Sequence, residues 1–177
     1  MIIAGTGHRP DKLGGYSPSL HPMLVEFARQ QLCNIVGDTQ REQVTVISGM
    51  ALGWDLALAE AAAREGFKLE CFFPCLEHYA HWPQKTQVWY TRLLTGLICN
   101  GATGRYVSRL PYAADKGCME RRNRAMVDDC QIVLALWNGS VGGTGNCIAY
   151  ANKVDRTWVN LWLDWEIFAD SQLKLVA

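Results

Sequence analysis

The sequence predicts an α/β fold: a single-domain, Rossmann-like three-layer sandwich with a mainly parallel sheet. Two observations support this prediction. Short apolar runs alternate along the chain with longer stretches whose apolar residues recur at helical spacing. Glycine-rich turns follow three of the short runs. Strands that alternate with helices are joined by right-handed crossovers, which make the strands parallel and cover both faces of the sheet.

The first half of the chain contains three strands and two helices. Residues 2–6 and 44–47 are short, β-branched and apolar, which is typical of buried strands. Residues 21–36 have apolar side chains at helical spacing, and residues 55–65 are rich in alanine and leucine. A glycine follows each of these two helices and supplies a helix stop. Residues 69–73 form the third strand, which a proline closes.

The second half continues the alternation. The predicted helices cover residues 82–97, 116–129 and 144–153, and the predicted strands cover residues 105–110, 132–137 and 157–163. The tail after Asp164 is expected to be loosely held. No repeat or linker interrupts the pattern, so we expect one domain over residues 1–177.

Composition limits the compartment and the partners. Lys and Arg total 17, Asp and Glu total 17, and no block of like charge occurs, so neither duplex nucleic acid nor a membrane surface is expected as a partner. The seven cysteines are an odd number without a CxxC pair, which favours reduced thiols in a cytoplasmic protein. No secretion signal is visible, and the apolar runs are too short to span a bilayer.

In a parallel sheet, ligands bind beyond the carboxyl ends of the strands. The turn after the first strand offers Gly5, Thr6, Gly7, His8 and Arg9. Arg9 suits a phosphate or a carboxylate, and His8 titrates near neutral pH. The alternative is that Arg9 forms a surface ion pair and His8 caps the turn.

The turn after the second strand offers Ser48, Gly49, Gly53, Trp54 and Asp55. Asp55 can be interpreted in two ways: its carboxylate binds a ribose diol, or it is an ordinary N-cap of the following helix. Neither a GxGxxG dinucleotide fingerprint nor a GxxxxGK[ST] P-loop occurs in the chain.

The turn after residues 132–137 is the richest in glycine. It leads into a helix whose N-terminal N–H groups and dipole suit a phosphate. The arginine-rich helix just before that strand adds a second phosphate anchor, unless its arginines are simply solvated. The predicted ligand-binding residues from these two segments are Arg122, Asn123, Trp137, Gly142, Gly143, Thr144 and Gly145.

Two further residue groups have open interpretations. Cys75, His78 and His81 form a loose cluster for which either a ligand-covering loop or a packed surface is preferred over a metal site, so no metal is expected, and no cofactor is expected either. Four aromatic residues follow or flank the strands closely enough to stack on a base, namely Tyr16, Trp54, Trp82 and Trp137. The tryptophans near the C-terminus are expected in the core or in a subunit interface.

Four motifs in this order support a family resemblance: GTGHRP, SGMALGWD, RRNRAMVDDCQIVLALWNG and GGTG. Together they resemble the SLOG superfamily, and within it the YpsA/YspA-like, DUF1273-type branch of Rossmann-like nucleotide-binding proteins. The resemblance covers about residues 2–151. LOG phosphoribohydrolases and DprA are its more distant relatives. It implies a nucleotide-like small-molecule ligand and a homodimer or higher homo-oligomer.

The LOG-type phosphoribohydrolases cleave the N-glycosidic bond of nucleoside monophosphates and carry the pattern PGGxGTxxE. The glycines of that pattern match Gly142, Gly143 and Gly145, but its threonine position holds Asn146 and its glutamate position holds Ala149. Arg122 matches the arginine of the family's catalytic region. Losing a positioned carboxylate costs about two to four orders of magnitude in rate, so another acid would have to replace it.

We therefore expect a protein that binds a nucleotide or a nucleotide-derived ligand. If it is an enzyme, the resemblance implies hydrolysis or transfer at an N-glycosidic bond. Asp55 would then be the nucleophile or electrostatic stabiliser, preferred over Glu120 and Asp128, and Arg122 would anchor the phosphate. The alternative is a non-catalytic sensor or sponge of a signalling nucleotide, which the missing glutamate favours.

Overall fold

A computed structural model describes residues 1–176; Ala177, at the end of the predicted domain, lies outside the described residues. The strands are β1 (Ile2–Gly7), β2 (Thr45–Ser48), β3 (Lys68–Phe73), β4 (Thr103–Tyr106), β5 (Ile132–Leu136) and β6 (Thr157–Asn160). The helices are α1 (Leu20–Val36), α2 (Trp54–Arg64), α3 (Gln84–Cys99), α4 (Cys118–Asp129), α5 (Gly143–Lys153) and α6 (Trp162–Val176). A short 3-10 helix, Pro10–Lys12, follows β1, and a second one, Arg41–Gln43, precedes β2.

The six strands form one sheet in the order β4-β3-β2-β1-β5-β6, and every neighbouring pair is parallel. The order reverses at β1, which pairs with β2 on one side and with β5 on the other. Gly7 pairs with Leu136, so β1 and β5 end side by side. Helices that leave these two strands diverge to opposite faces and open a crevice at this point.

Alternating side chains divide the sheet between two cores, as the period of a strand requires. On one face, Ile3 and Leu134 pack with buried residues of α1, α2, α3 and α6. On the other face, Ala4 and Val133 pack with buried residues of α4 and α5. This arrangement confirms the prediction of a Rossmann-like three-layer α/β fold.

Three predictions differ from the observed elements, and two of them concern the C-terminal end of the chain. The strand predicted over residues 157–163 ends at Asn160, and α6 begins at Trp162. The tail expected to be loose is helical, because Trp165 and Phe168 each lie 5.4 Å from the ring of Phe27 on α1. These aromatic contacts hold α6 against the first core.

The fourth strand also lies earlier than predicted. It covers Thr103–Tyr106 rather than residues 105–110, and all of its residues are exposed at the edge of the sheet. An exposed edge strand lacks the apolar pattern that would locate it in the sequence. Among the helices of the described chain, none has both the length and the apolar composition needed to cross a membrane.

Candidate functional site

The crevice at the switch between β1 and β5 has a volume of about 260 Å³. All three predicted turns and the arginine-rich helix α4 contribute to it. The predicted site residues that line it are Thr6, Gly7, His8, Arg9, Asp55, Arg122, Asn123, Gly142, Gly143 and Thr144. The structure therefore brings together most of the residues that the sequence singled out.

A buried ion pair lies at the centre of the crevice wall. Arg122 on α4 and Asp55 on α2 are only 6% and 5% exposed, and their Nη1 and Oδ2 atoms are 3.3 Å apart. The same Nη1 donates to the carbonyl oxygen of Gly49. The Nε of Arg122 is also buried, and it has no hydrogen-bond partner among the described residues. A solvated arginine, the alternative interpretation, does not fit this environment.

Burial raises the pKa of Asp55 to about 6, against the opposing effects of Arg122 and of backbone hydrogen bonds. Asp55 is not the N-cap of α2, because Gly53 holds that position and Asp55 lies in the first turn. Its carboxyl group is therefore a desolvated acid that titrates close to neutral pH.

Gly49 makes room for this ion pair. A Cβ atom at Gly49 would lie 2.7 Å from Oδ2 of Asp55 and would overlap the guanidinium of Arg122. Real Cβ atoms do not approach other atoms this closely, so any larger residue would displace Arg122 or Asp55. Gly49 therefore supports the site without lining the crevice.

Two contacts tie the loop after β1 to the loop after β5. The Nε2 of His8 lies 2.6 Å from the side-chain oxygen of Asn138 and 3.1 Å from its backbone nitrogen; a protonated Nε2 donates to the oxygen, and an unprotonated one accepts from the backbone N–H. Lys12 Nζ donates to Ser140 Oγ at 2.6 Å. Burial lowers the pKa of His8, which favours the neutral imidazole. These contacts position the two loops across the crevice from α4.

The first turn of α5 lines the crevice through Gly142, Gly143 and Thr144. Gly142 is the N-cap, so no side chain caps the helix. The side-chain amide of Asn123 lies 3.4 Å from the carbonyl oxygen of Gly143 and connects α4 to this turn. An uncapped helix N-terminus presents free N–H groups and partial positive charge to the crevice.

Trp54 does not line the crevice, which corrects its prediction as a ligand-binding residue. Its side chain is fully buried, and its indole N–H donates to the carbonyl oxygen of Leu134 at 3.2 Å. Gly7 lies under this ring, since a Cβ there would come within 2.6 Å of Trp54. Gly5 lies similarly under Leu58. The absence of side chains at Gly5 and Gly7 lets α2 pack closely on β1, although Gly7 also borders the crevice.

Four other predicted residues do not line the crevice, but they stabilise the turns that form it. The Oγ of Ser48 is buried and donates to the carbonyl oxygen of Asp55 at 2.7 Å. Gly53 has a positive φ of 93°, which a glycine adopts without strain. Trp137 donates from its indole to the carbonyl oxygen of Ser140 at 2.7 Å, and Gly145 packs against its ring.

Five residues that line the crevice are not among those predicted from the sequence. Two of them carry charge: Lys12 and Asp11 belong to the 3-10 helix that follows β1. Their position only a few residues past a strand end was the signal that could have selected them. The others are Ala51, Met119 and Ser140.

The two alternative acids lie outside the crevice. Glu120 forms an ion pair with Arg124 and borders a neighbouring groove that also contains Ala149. Asp128 accepts a hydrogen bond from Tyr150 at 2.9 Å. Asp55 is thus the candidate acid that shares the crevice with Arg122.

His78 belongs to a packed aromatic cluster. It is 9% exposed, and its Nε2 lies 3.1 Å from the hydroxyl of Tyr90. Trp82 packs in the same cluster, 5.1 Å from the ring of Tyr90, and does not line the crevice. Over residues 1–176, no three His, Cys, Asp or Glu side chains are grouped so that they could hold a metal ion.

The chain is similar in sequence to one uncharacterized protein, the SPbeta prophage-derived YoqJ of Bacillus subtilis. The two are 26% identical over 147 residues, which are 77% of this chain and 84% of YoqJ. No family model matches the chain.

Solved structures with the same fold include DNA processing protein A (DprA) from two bacteria. The Helicobacter pylori protein, which has a single-stranded DNA binding mode, matches with a TM-score of 0.59 at 19% identity, over 89% of this chain and 63% of that one. The Streptococcus pneumoniae protein matches with a TM-score of 0.57 at 17% identity, over 88% and 48%. This chain therefore spans about half to two thirds of the DprA chains. The protein TM1055 matches with a TM-score of 0.50 at 13% identity, over 89% and 71%.

These comparisons contradict the expectation about partners, which excluded duplex nucleic acid and did not include single strands. The fold is also that of a protein that binds single-stranded DNA. The expectation that excluded nucleic acid as a partner is therefore withdrawn.

Proposed function

We propose that the crevice binds the phosphate group of a nucleotide. The observation that carries this proposal is Arg122, whose buried Nε lacks a partner while its side chain lines the crevice. A buried donor without an acceptor costs about 1–3 kcal/mol, and more when it is charged. An anion that accepts from Arg122 and from the first turn of α5 would satisfy both groups.

The charges of the crevice fit this ligand. Arg9, Lys12 and Arg122 bring three positive charges, against two acids, Asp11 and Asp55. In the proposed pose the phosphate binds to the α5 turn and to Arg122, the sugar lies near Asp55, and the base extends toward His8 and Arg9. The crevice is smaller than the roughly 300–1,000 Å³ of ordinary ligand pockets, so part of the nucleotide lies outside it.

Asp55 supports a second, catalytic proposal: hydrolysis or transfer at the N-glycosidic bond. Cleavage of this bond passes through an oxocarbenium-like state, which a nearby carboxylate stabilises. With a pKa of about 6, Asp55 is mostly ionised at neutral pH. The competing proposal is a non-catalytic nucleotide sensor or sponge, which Ala149 favours because LOG-type enzymes have glutamate at that position.

We also propose that the chain is a member of the SLOG superfamily and that it works in a reducing compartment, the cytoplasm. The fold shared with DprA and TM1055 supports the family proposal. All seven cysteines are unpaired, and five are buried, which supports a reducing compartment.

The test incubates the purified protein with a panel of nucleoside monophosphates, diphosphates and cyclic nucleotides, followed by mass spectrometry of the products and of the bound fraction. Arg122→Gln should abolish retention of the nucleotide. Arg124→Gln is the matched control, because Arg124 lies on the same helix but is half exposed and pairs with Glu120 outside the crevice.

The outcomes separate the proposals. Free base together with ribose phosphate, lost in Asp55→Asn, supports glycosidic cleavage. Intact nucleotide in the bound fraction, without products, supports a sensor or sponge. Two outcomes contradict phosphate binding in this crevice. One is a nucleotide that binds equally to wild type and Arg122→Gln, and the other is that no product forms and no nucleotide is found in the bound fraction.

A further inference from the structure

A second concave site lies beside the crevice, on the other side of the 3-10 helix that follows β1. It has a volume of about 410 Å³, and its walls include Pro10, Tyr16, Pro18, His21, Leu52 and Trp89. We call it the aromatic groove. We propose that the aromatic groove stacks an unpaired base of a single-stranded nucleic acid, and that this base belongs to the nucleotide next to the one whose phosphate occupies the crevice. This inference rests on the proposed phosphate binding.

The groove offers aromatic surface to solvent. Tyr16 is 69% exposed and Trp89 is 37% exposed. His21 packs beside Trp89, with its ring edge-on to the indole at 4.8 Å. Its Nε2 lies 2.7 Å from a carboxylate oxygen of Glu60, which holds the imidazole in place. Base–aromatic stacking tolerates any base, because every base has a π-face. The groove thus resembles the stacking platforms of single-strand-binding proteins.

The charge of the groove argues for a base as the bound group. None of the described residues that line it is Lys, Arg, Asp or Glu. A phosphate placed there would be desolvated without a counter-charge, at a high cost. An uncharged planar ring carries no such cost, and it gains apolar burial against the prolines and Leu52.

The groove and the crevice are neighbours along the backbone. In the 3-10 helix Pro10–Lys12, Pro10 lines the groove, whereas Asp11 and Lys12 line the crevice. In the second turn, Gly53 lines the groove and Asp55 lines the crevice. Both sites therefore open at the carboxyl edge of the sheet, and adjacent residues of the same two turns line them. Cations on one side and aromatics on the other are the two components that bind single strands.

Tyr16 is free to close on a bound base. It follows Gly14 and Gly15, which both have a φ of 96°, a conformation that glycine adopts readily. The backbone of this turn is anchored, because the N–H of Gly15 donates to the carbonyl oxygen of Pro10 at 2.8 Å, whereas the side chain of Tyr16 is free to rotate. The ring can move without breaking a contact in the core.

The experiment compares thymidine 5′-monophosphate with short 5′-phosphorylated oligothymidylates by isothermal titration calorimetry. The oligonucleotides should bind about 5- to 150-fold more tightly than the monophosphate, the gain expected from stacking one base. Tyr16→Ala should remove most of this gain and leave monophosphate binding unchanged. Tyr16→Phe should retain the gain. Tyr112→Ala is the matched control, because Tyr112 is 38% exposed and does not line the groove.

Each failure has a distinct signature. If the monophosphate binds and oligonucleotides bind no more tightly, the aromatic groove does not stack a base, although phosphate binding stands. The same conclusion follows if Tyr16→Ala leaves oligonucleotide affinity unchanged. If neither ligand binds, the proposed function fails and the inference fails with it. Photo-crosslinking of an oligonucleotide carrying 5-iodouracil adds an independent readout: adducts on Tyr16 or Trp89 support stacking, and adducts confined to other residues contradict it.

Discussion

Replacing Asp55 with Asn should change how the stability of this protein depends on pH. Burial raises the pKa of Asp55 from its ordinary value of 3.8 to about 6. One pKa unit corresponds to about 1.4 kcal/mol, so the ionised carboxylate costs the folded state on the order of 3 kcal/mol. Between about pH 4 and about pH 6, the folded protein keeps a proton that the unfolded chain releases. The contribution of Asp55 to the free energy of unfolding therefore falls as the pH rises through this window.

The assay is urea unfolding, followed by circular dichroism at several pH values, for wild type and for Asp55→Asn. The useful quantity is the difference between the two proteins at each pH. His78 contributes an opposite slope to both, because burial and then Arg122 lower its pKa to about 4, so its effect cancels in the difference. Wild type should lose about 3 kcal/mol relative to the variant between about pH 4 and about pH 7. Asp38→Asn, which removes an exposed carboxylate, reports the effect of an ordinary Asp-to-Asn exchange.

Two results would refute this reasoning. A constant difference across the pH range would mean that Asp55 has the same proton affinity in the folded and the unfolded chain. A wild type that gains stability relative to the variant as the pH rises would mean that the attraction of Arg122 outweighs burial. Asp55 would then be an ordinary buried ion-pair partner, and its selection as the acid of the crevice would lose its physical basis.

Three further predictions concern the crevice. Gly49→Ala should destabilise the protein by about 1–3 kcal/mol and should weaken sulfate binding, because the added methyl group displaces Arg122; Gly96→Ala, at an open helical position, should instead stabilise it by about 0.5–1 kcal/mol in the same urea titration. Calorimetric titration should show sulfate binding weakening as the pH rises through about 6, since Asp55 becomes charged, and this dependence should disappear in Asp55→Asn. Lys12→Ala should weaken sulfate binding and leave the urea midpoint nearly unchanged, because Lys12 lines the crevice but is exposed.

The fold was predictable because most of its strands are buried and apolar. The errors in the predicted element boundaries occur where this apolar pattern is absent or ambiguous. The run over residues 157–163 is mostly apolar, yet it contains the end of β6, a buried Leu161 and the start of α6. Apolar character is common to a strand and to a buried helix start, so periodicity cannot place the boundary. What fixes α6 is its packing on Phe27, a residue far away in the sequence.

The crevice was predictable from topology, because residues that follow parallel strands meet at one edge of the sheet. The role of each glycine was not predictable. Gly5 and Gly7 allow helix α2 to approach the strand, whereas Gly142 and Gly143 expose backbone beside the crevice. Both uses give glycines close to the end of an apolar run in the sequence, although Gly5 and Gly7 lie within β1. The two uses are distinguished only by tertiary contacts, which are those of Gly5 with Leu58 and of Gly7 with Trp54.

Net charge failed as a guide to partners because it is a sum over the whole surface. Many charged side chains lie beside an opposite charge on the same helix, as in the Arg29–Glu26, Arg64–Glu60 and Arg124–Glu120 pairs. Within the described chain, Arg9 and Lys12 take part in no ion pair, and both line the crevice. Asp55, the acid opposite Arg122, loses its charge below about pH 6. With Arg9, Lys12 and Arg122 against Asp11 and Asp55, the crevice is locally positive in a protein whose total charge is zero, and the proposed phosphate would encounter this local excess.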